Sequence, residues 1–216
     1  MFGTAAITIF FLIVLLFSVI IHELAHGYVA YSLGDPTAKY AGRLTLNPIK
    51  HLDPFGSVIL PLLFLFISFL PGGQPFIFGW AKPVPINPYN FKDQKWGTLK
   101  VSIAGPLSNF AVAVVFGLFI RFFNYSQIAP LIELFAIIVF LNILLGVFNL
   151  IPIPPLDGSW ILFRFLPGGA ERARLFLQQY GLFILIFLLF SGVLSGLYFL
   201  INLIFYGITG TFFSAL

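Results

Sequence analysis

The sequence contains no cysteine and very little charge. Of its 216 residues, 60% are hydrophobic and only 8% are charged, whereas about 25% are charged in a typical water-soluble domain. Without cysteine, a disulfide framework and a thiolate metal site are excluded, so any metal must be bound by His, Asp or Glu. The shortage of charge excludes an ordinary water-soluble domain. We therefore predict one membrane-embedded domain, residues 1–216.

The few basic residues indicate membrane topology. Eleven Lys and Arg residues give a formal net charge of +4, but they form no aromatic-interleaved patch, so we expect no nucleic-acid partner. Seven of them lie between Gly34 and Lys100 and three between Arg164 and Arg174, which leaves Arg121 alone. Because basic residues concentrate in cytoplasmic loops, both groups are predicted to be cytoplasmic and both termini to lie outside.

Long apolar runs predict the membrane spans, because about 20 apolar residues cross a hydrocarbon core of about 30 Å. The predicted spans are Ala5 to Leu33, Val101 to Ile120 and Leu131 to Ile151. The first run reaches a polar motif at His22 without a small-residue cleavage site, so we expect a retained helix rather than a signal peptide. The uncharged tail from Leu175 to Leu216 is one helix, or two helices divided near Gly192 and Gly196.

Two segments between the first two spans have less regular patterns. Residues 55–80 are apolar but short and proline-interrupted, so they either cross the membrane or dip into it and return. We prefer the re-entrant path because it keeps the flanking lysines on one side of the membrane. Residues 38–47 alternate partly, which predicts a strand whose edge could bind an extended substrate. The predicted fold is thus an all-α polytopic membrane protein with about four core transmembrane helices, a re-entrant membrane segment and a small cytoplasmic strand-containing loop.

The segment His22-Glu23-Leu24-Ala25-His26 carries the strongest chemical signal. Two imidazoles at i and i+4 share one helix face and can bind a single Zn²⁺, with the adjacent carboxylate acting as general base. Alternatively, these are polar residues on a buried helix face, since five-residue patterns arise by chance. Ionisable residues at the centre of a span, however, cost about 3 kcal/mol each and are functional by default. We therefore favour a metal site with Glu23 as the catalytic acid/base.

A catalytic zinc also needs a third protein ligand and an open position for water. Asp157 and His51 are the candidates. Asp157 ends an uncharged, proline-rich stretch at the inner end of the third span, the side on which the helix with His22 and His26 also ends. Prolines unwind the backbone there and can turn a carboxylate inward, although a simple surface turn is the alternative. His51 lies among charged neighbours that can reach water, so we prefer Asp157.

Together, these motifs resemble the site-2 proteases, which are zinc-dependent intramembrane metalloproteases. The resemblance rests on the motif at residues 22–26, on Gly105-Pro106-Leu107-Ser108-Asn109, and on the stretch from Asn149 to Gly158. It implies one zinc ion per chain, bound by His22, His26 and Asp157, with Glu23 as the catalytic acid/base. It also suggests that Asn149 holds the substrate or the tetrahedral oxyanion. Asn109 is a weaker candidate for that role, with an interhelical hydrogen bond as its alternative. Gly34-Asp35-Pro36 and the run from His51 to Gly56 resemble the compact bacterial branch, and we expect no room for a PDZ domain.

The predicted function is hydrolysis of a peptide bond within or beside a transmembrane helix, near the cytoplasmic side of the cell membrane. A helical amide is hydrogen-bonded and shielded, so the substrate must unwind locally. The alternative is an intramembrane metal-ion transporter or sensor, which needs ligands at successive depths, whereas the ligands here lie at one end. The expected partners are a transmembrane protein substrate and the lipid bilayer; the oligomeric state is left open.

Overall fold

The computed structural model describes residues 4–59, 63, 66, 82–123 and 125–213, and its regular structure is almost entirely helical. The helices are α1 (Thr4–Ser32), α2 (Thr37–Tyr40), α3 (Gly97–Phe122), α4 (Tyr125–Asn149), α5 (Gly158–Phe165), α6 (Glu171–Phe190) and α7 (Ser195–Thr209). Short 3₁₀ turns at Pro48–Lys50 and Pro88–Asn90 and a π-helical turn at Pro54–Ile59 interrupt the connections. Among the described residues, four helices are long and apolar enough to cross a membrane: α1, α3, α4 and α6. The all-α polytopic prediction is confirmed.

The helices α1, α3 and α4 pack against one another, and α7 packs against α3 and α4. The main apolar core lies between α3, α4 and α7 and includes Ala113, Val139, Ile143 and Phe205, each essentially inaccessible. Lipid tails are as apolar as leucine, so close fit and interhelical hydrogen bonds, rather than exclusion of water, hold such helices together. Both features recur around the functional residues described below.

The uncharged tail forms two helices. Helix α6 ends at Phe190, and Gly192 adopts a left-handed backbone conformation with φ of +76° before α7 begins. Glycine reaches this region without steric penalty, which explains why the break occurs there. On α6 only Gly181 and Leu185 are buried, as expected for a helix surrounded mainly by lipid. At 15 residues, α7 is shorter than a full span.

The predicted strand at residues 38–47 is wrong. Its first residues belong to α2, and the remainder forms turns, with a positive φ of +64° at Gly42. Asn47 then caps the next 3₁₀ turn by accepting a hydrogen bond from the backbone N–H of Ile49. The local turn bonds prevail because an isolated strand leaves its backbone groups unpaired. The predicted re-entrant segment, residues 55–80, lies mostly outside the described residues.

Candidate active site and metal centre

Three predicted ligands converge on one point. His22 and His26 lie one turn apart on α1, and their Nε2 atoms are 3.0 Å apart. The Oδ2 atom of Asp157 lies 3.0 Å from Nε2 of His22 and 3.2 Å from Nε2 of His26. Both histidine side chains are 9% exposed, so the cluster is largely shielded from solvent.

Asp157 reaches this cluster because α4 ends before it. After Asn149 the chain makes turns through the prolines and restarts as α5 at Gly158. Asp157 occupies the N-cap position of α5, where an aspartate normally accepts a hydrogen bond from its own helix. Here the side chain makes no capping bond, and its buried Oδ2 accepts no hydrogen bond from the described residues but faces Nε2 of both histidines. The carboxylate is therefore directed to α1.

The hydrogen bonds of both imidazoles define their tautomers. Nδ1 of His26 lies 2.7 Å from the carbonyl oxygen of Val101, which only accepts, so this nitrogen carries the proton. Nδ1 of His22 lies 2.7 Å from Oδ1 of Asn109. The amide orientation of Asn109 follows from its Nδ2, which donates to the carbonyl oxygen of Ser18. In the neutral form, both Nε2 atoms thus present lone pairs to each other and to the carboxylate.

Such an arrangement of acceptors fits a zinc ion. The two Nε2 atoms and the carboxylate oxygen each present a lone pair, and no proton lies between them. They repel one another unless a cation binds all three. In tetrahedral zinc sites with bonds of about 2.1 Å, ligand atoms lie roughly 3.4 Å apart, close to the separations of 3.0–3.2 Å seen here. Each histidine donates its other ring N–H to an oxygen, as zinc-bound histidines usually do. Two neutral imidazoles and one carboxylate would leave a bound Zn²⁺ with a net charge of about +1.

A buried polar network holds His22 in place, and sequence reasoning missed most of it. Asn109 donates through Nδ2 to Oδ1 of Asn142, 3.0 Å away, and Asn142 donates to the hydroxyl of Ser18 at 2.9 Å. Asn109 and Asn142 are fully buried, so the network joins α1, α3 and α4. An amide in the middle of an apolar span is itself a signal of interhelical bonding, and Asn142 could have been identified on that ground.

Gly105 was part of a recognised motif, but its position against the histidines was not anticipated. A Cβ built on Gly105 would lie 2.6 Å from Nε2 of His22 and in closer contact with Nε2 of His26. Only glycine allows α3 to approach the metal-binding face of α1 this closely. Glycine costs about 1 kcal/mol relative to alanine in a helix, so its presence there indicates a packing or functional need.

Glu23 and Asn149 line a cavity of about 320 Å³ beside the three ligands. Oε2 of Glu23 accepts a hydrogen bond of 2.8 Å from the backbone N–H of Val84. Asn149 donates one Nδ2 hydrogen to the carbonyl oxygen of Leu145, which leaves its second hydrogen. Asn109 is fully buried and bonded to its neighbours, outside the lining of this cavity. A carboxylate therefore lies next to the ligand cluster within a space that can admit a substrate.

His51 is not part of the ligand cluster. The described metal-binding group consists of His22, His26 and Asp157, whose ligand atoms all lie within 4.8 Å of one another. His51 is instead fully buried, and its Nε2 bonds to the carbonyl oxygen of Thr45 at 2.8 Å. This bond ties together the loop that follows α2.

The sequence model of peptidase family M50 matches residues 124–191. The candidate zinc metalloprotease YwhC of Bacillus subtilis (strain 168) is 42% identical over 188 residues, covering 84% of this chain and 80% of YwhC. The chain belongs to peptidase family M50. The candidate zinc metalloprotease Rip2 of Mycobacterium tuberculosis (strain H37Rv) is 32% identical over 186 residues, or 85% of this chain and 68% of Rip2. Rip2 of Mycolicibacterium smegmatis is 31% identical over 190 residues, which cover 85% of this chain and 68% of that Rip2. No solved structure matches the chain.

Membership of family M50 confirms the resemblance to the site-2 proteases that the motifs indicated. The M50 chain is a zinc metalloprotease, and the several long apolar helices within its described residues indicate a multi-pass membrane protein. Nothing in the comparisons supports the alternative of a metal-ion transporter.

Proposed function

We propose that this M50 protease hydrolyses peptide bonds within or beside the transmembrane segments of membrane proteins, in the cavity beside Glu23 and towards the cytoplasmic side. The observation that carries the proposal is the convergence of three ligand atoms next to a carboxylate. An N-cap aspartate that leaves its own helix to meet two histidines is difficult to explain by packing alone, because the three acceptors repel one another without a cation.

His22, His26 and Asp157 are the proposed zinc ligands. A Zn²⁺ ion bound by these residues would supply a Lewis acid that makes water acidic enough to lose a proton near pH 7, at a pKa of about 7. Glu23 lies in the same cavity with Oε2 bonded to Val84, while its Oε1 makes no hydrogen bond within the described part of the chain. In the proposed reaction, Glu23 accepts the proton of the attacking water and then delivers it to the leaving amine.

Asn149 is the proposed contact for the substrate carbonyl or the developing oxyanion. It lines the cavity, and one Nδ2 hydrogen remains after the bond to Leu145. A donor aimed at developing negative charge is the requirement for such a contact. The burial of Asn109 favours its alternative role, in which it orients the imidazole of His22.

The cytoplasmic orientation of the site is supported by charge. The ligands lie in the second half of α1 and just after α4, which are the helix ends joined to residues 33–96 and 150–170. These connections and the adjoining helix starts carry ten of the eleven basic residues, whereas Arg121 alone lies at the opposite end of α3. Basic loops face the cytoplasm, and a substrate helix unwound near that surface would reach the cavity.

Glu23→Gln tests the proposal in the purified full-length protein. The amide keeps the shape of the side chain but cannot accept the proton, so turnover of a fluorescent transmembrane substrate should fall by about 10²–10⁴-fold. Zinc, measured by mass spectrometry, should remain near one per chain because Glu23 is not a ligand. Near-normal turnover by the Gln variant would assign the base to another group and refute this mechanism.

A further inference from the structure

Residues 82–92, here called the strap, line the cavity and contain no regular structure except the 3₁₀ turn at Pro88–Asn90. Backbone hydrogen bonds attach both ends. The N–H of Lys82 donates to the carbonyl oxygen of His51 at 2.9 Å, and the N–H of Lys92 donates to that of Leu33 at 2.8 Å. The strap is therefore held against the end of α1 and the loop that follows α2.

Asp35 is the central anchor of the strap. Its carboxylate is fully buried just beyond α1. Oδ2 accepts the backbone N–H of Asn87 at 2.7 Å, and Oδ1 accepts the side-chain amide of Asn90 at 2.8 Å. Thr37 also donates to Oδ1, through both its N–H and its hydroxyl. Hydrogen bonds to an ionised carboxylate are about twice as strong as neutral ones, so this anchor holds the strap at Asn87, close in sequence to Val84, which contacts Glu23.

Between the anchors, Val84 faces α1 with both its backbone and its side chain. Its N–H donates to Oε2 of Glu23 at 2.8 Å. The residue is 6% exposed, and its Cγ1 would lie 3.1 Å from a Cβ on Gly27, one turn after Glu23. Pro83 and Pro85 flank it, with φ held near −65° and no N–H of their own. The N–H of Val84 is thus the one backbone donor among these three residues, and it bonds to the carboxylate of Glu23.

We propose that the backbone N–H of Val84 is the positioning group for Glu23. A glutamate has three rotatable side-chain bonds, and the hydrogen bond to Oε2 selects the arrangement in which Oε1 remains available to a water in the cavity. Asp35 acts through the strap by holding Val84 in register with α1. This inference rests on the proposed role of Glu23 as general base.

Hydrogen exchange in the full-length protein tests the contact without any activity measurement. Between Lys82 and Pro88 only Val84, Ile86 and Asn87 carry a backbone N–H, so a proteolytic fragment of this region reports on very few amides. Glu23→Ala should remove the protection of about one amide, whereas Glu23→Gln keeps an acceptor oxygen and should retain it. Unchanged exchange in the Ala variant would overturn the proposal.

Kinetics test the positioning role. Val84→Pro removes the N–H, and Val84→Ala, the matched control, retains it while losing two methyl groups. We expect the kcat of the Pro variant to lie about 10- to 100-fold below that of the Ala variant, as small misplacements of catalytic groups produce. KM and zinc content should be alike in the two variants. Equal kcat values, or faster turnover by the Pro variant, would overturn the inference.

The two measurements separate this inference from the proposed function. Normal turnover by Glu23→Gln would refute Glu23 as the base and with it the positioning role, even where exchange data confirm the contact with Val84. An inactive Glu23→Gln combined with equal kcat values for the two Val84 variants would refute the positioning role alone.

Discussion

Replacement of Gly105 by alanine perturbs the metal centre without changing a ligand. The added Cβ would lie 2.6 Å from Nε2 of His22, whereas ordinary contact begins at 3.4 Å, so the ring must move by about 0.8 Å. The contact with His26 is closer still. Metal sites keep their ligand distances within about 0.2 Å, and α3 cannot easily retreat because Asn109 bonds it to α1 and α4. We expect Gly105→Ala to weaken zinc binding by about 10- to 100-fold, which is the range for residues that support metal ligands.

Gly117→Ala is the matched control for this experiment. Gly117 lies on the same helix, and a Cβ there would collide with the side chain of Ile208 on α7. Both substitutions overpack α3, at a cost of about 1–3 kcal/mol of stability each, but only one of them faces the histidines. Zinc affinity measured by competition with a chromophoric chelator should fall for Gly105→Ala and stay at the wild-type value for Gly117→Ala. Wild-type affinity in the Gly105 variant would refute the reasoning.

Three other predictions concern the third ligand, acid stability and topology. Asp157→Ala should reduce bound zinc and abolish proteolysis, whereas His51→Ala should keep zinc near one per chain; the reverse pattern of metal content would contradict the ligand assignment. Burial raises the pKa of the Asp35 carboxyl, but hydrogen bonds from Thr37, Asn90 and Asn87 outweigh it and lower the pKa below its ordinary value of 3.8. Asp35 therefore stabilises the fold fully above that value and loses this contribution as the pH falls through the lower folded pKa, so Asp35→Asn should flatten the acid dependence of the melting temperature. A single cysteine at Gln74 should resist an impermeant reagent added from outside, and rapid labelling would exclude the re-entrant path.

Local spacing explains which parts of the site were predictable. His22 and His26 share a helix face because they are four residues apart, and no tertiary information is needed to pair them. Asp157 was chosen over His51 from topology and local charge, and the structure places its carboxylate against both imidazoles. The catalytic and ligand roles of these residues stay predictions until metal content and turnover are measured.

The incorrect strand has a local cause as well. Residues 38–47 alternate weakly in polarity, but alternation predicts a strand only where another strand can pair with it. Among the described residues around this segment, the backbone bonds go to turns instead, for example from the N–H of Arg43 to the carbonyl oxygen of Ala38. Partial alternation over ten residues was insufficient to distinguish the two outcomes.

By itself, the sequence determined that this protein lies in a membrane, which helices are long enough to cross that membrane, and which side chains could bind a metal. These properties follow from composition, from run length and from the i, i+4 geometry of one helix, all of which are local. Only the tertiary structure decided which groups support that chemistry. Gly105 next to the histidines, the Asn142 link to Ser18 and the N–H of Val84 at Glu23 each join segments more than 60 residues apart in sequence. Such pairings depend on how the helices and the strap pack, and no local pattern encodes the distance between them.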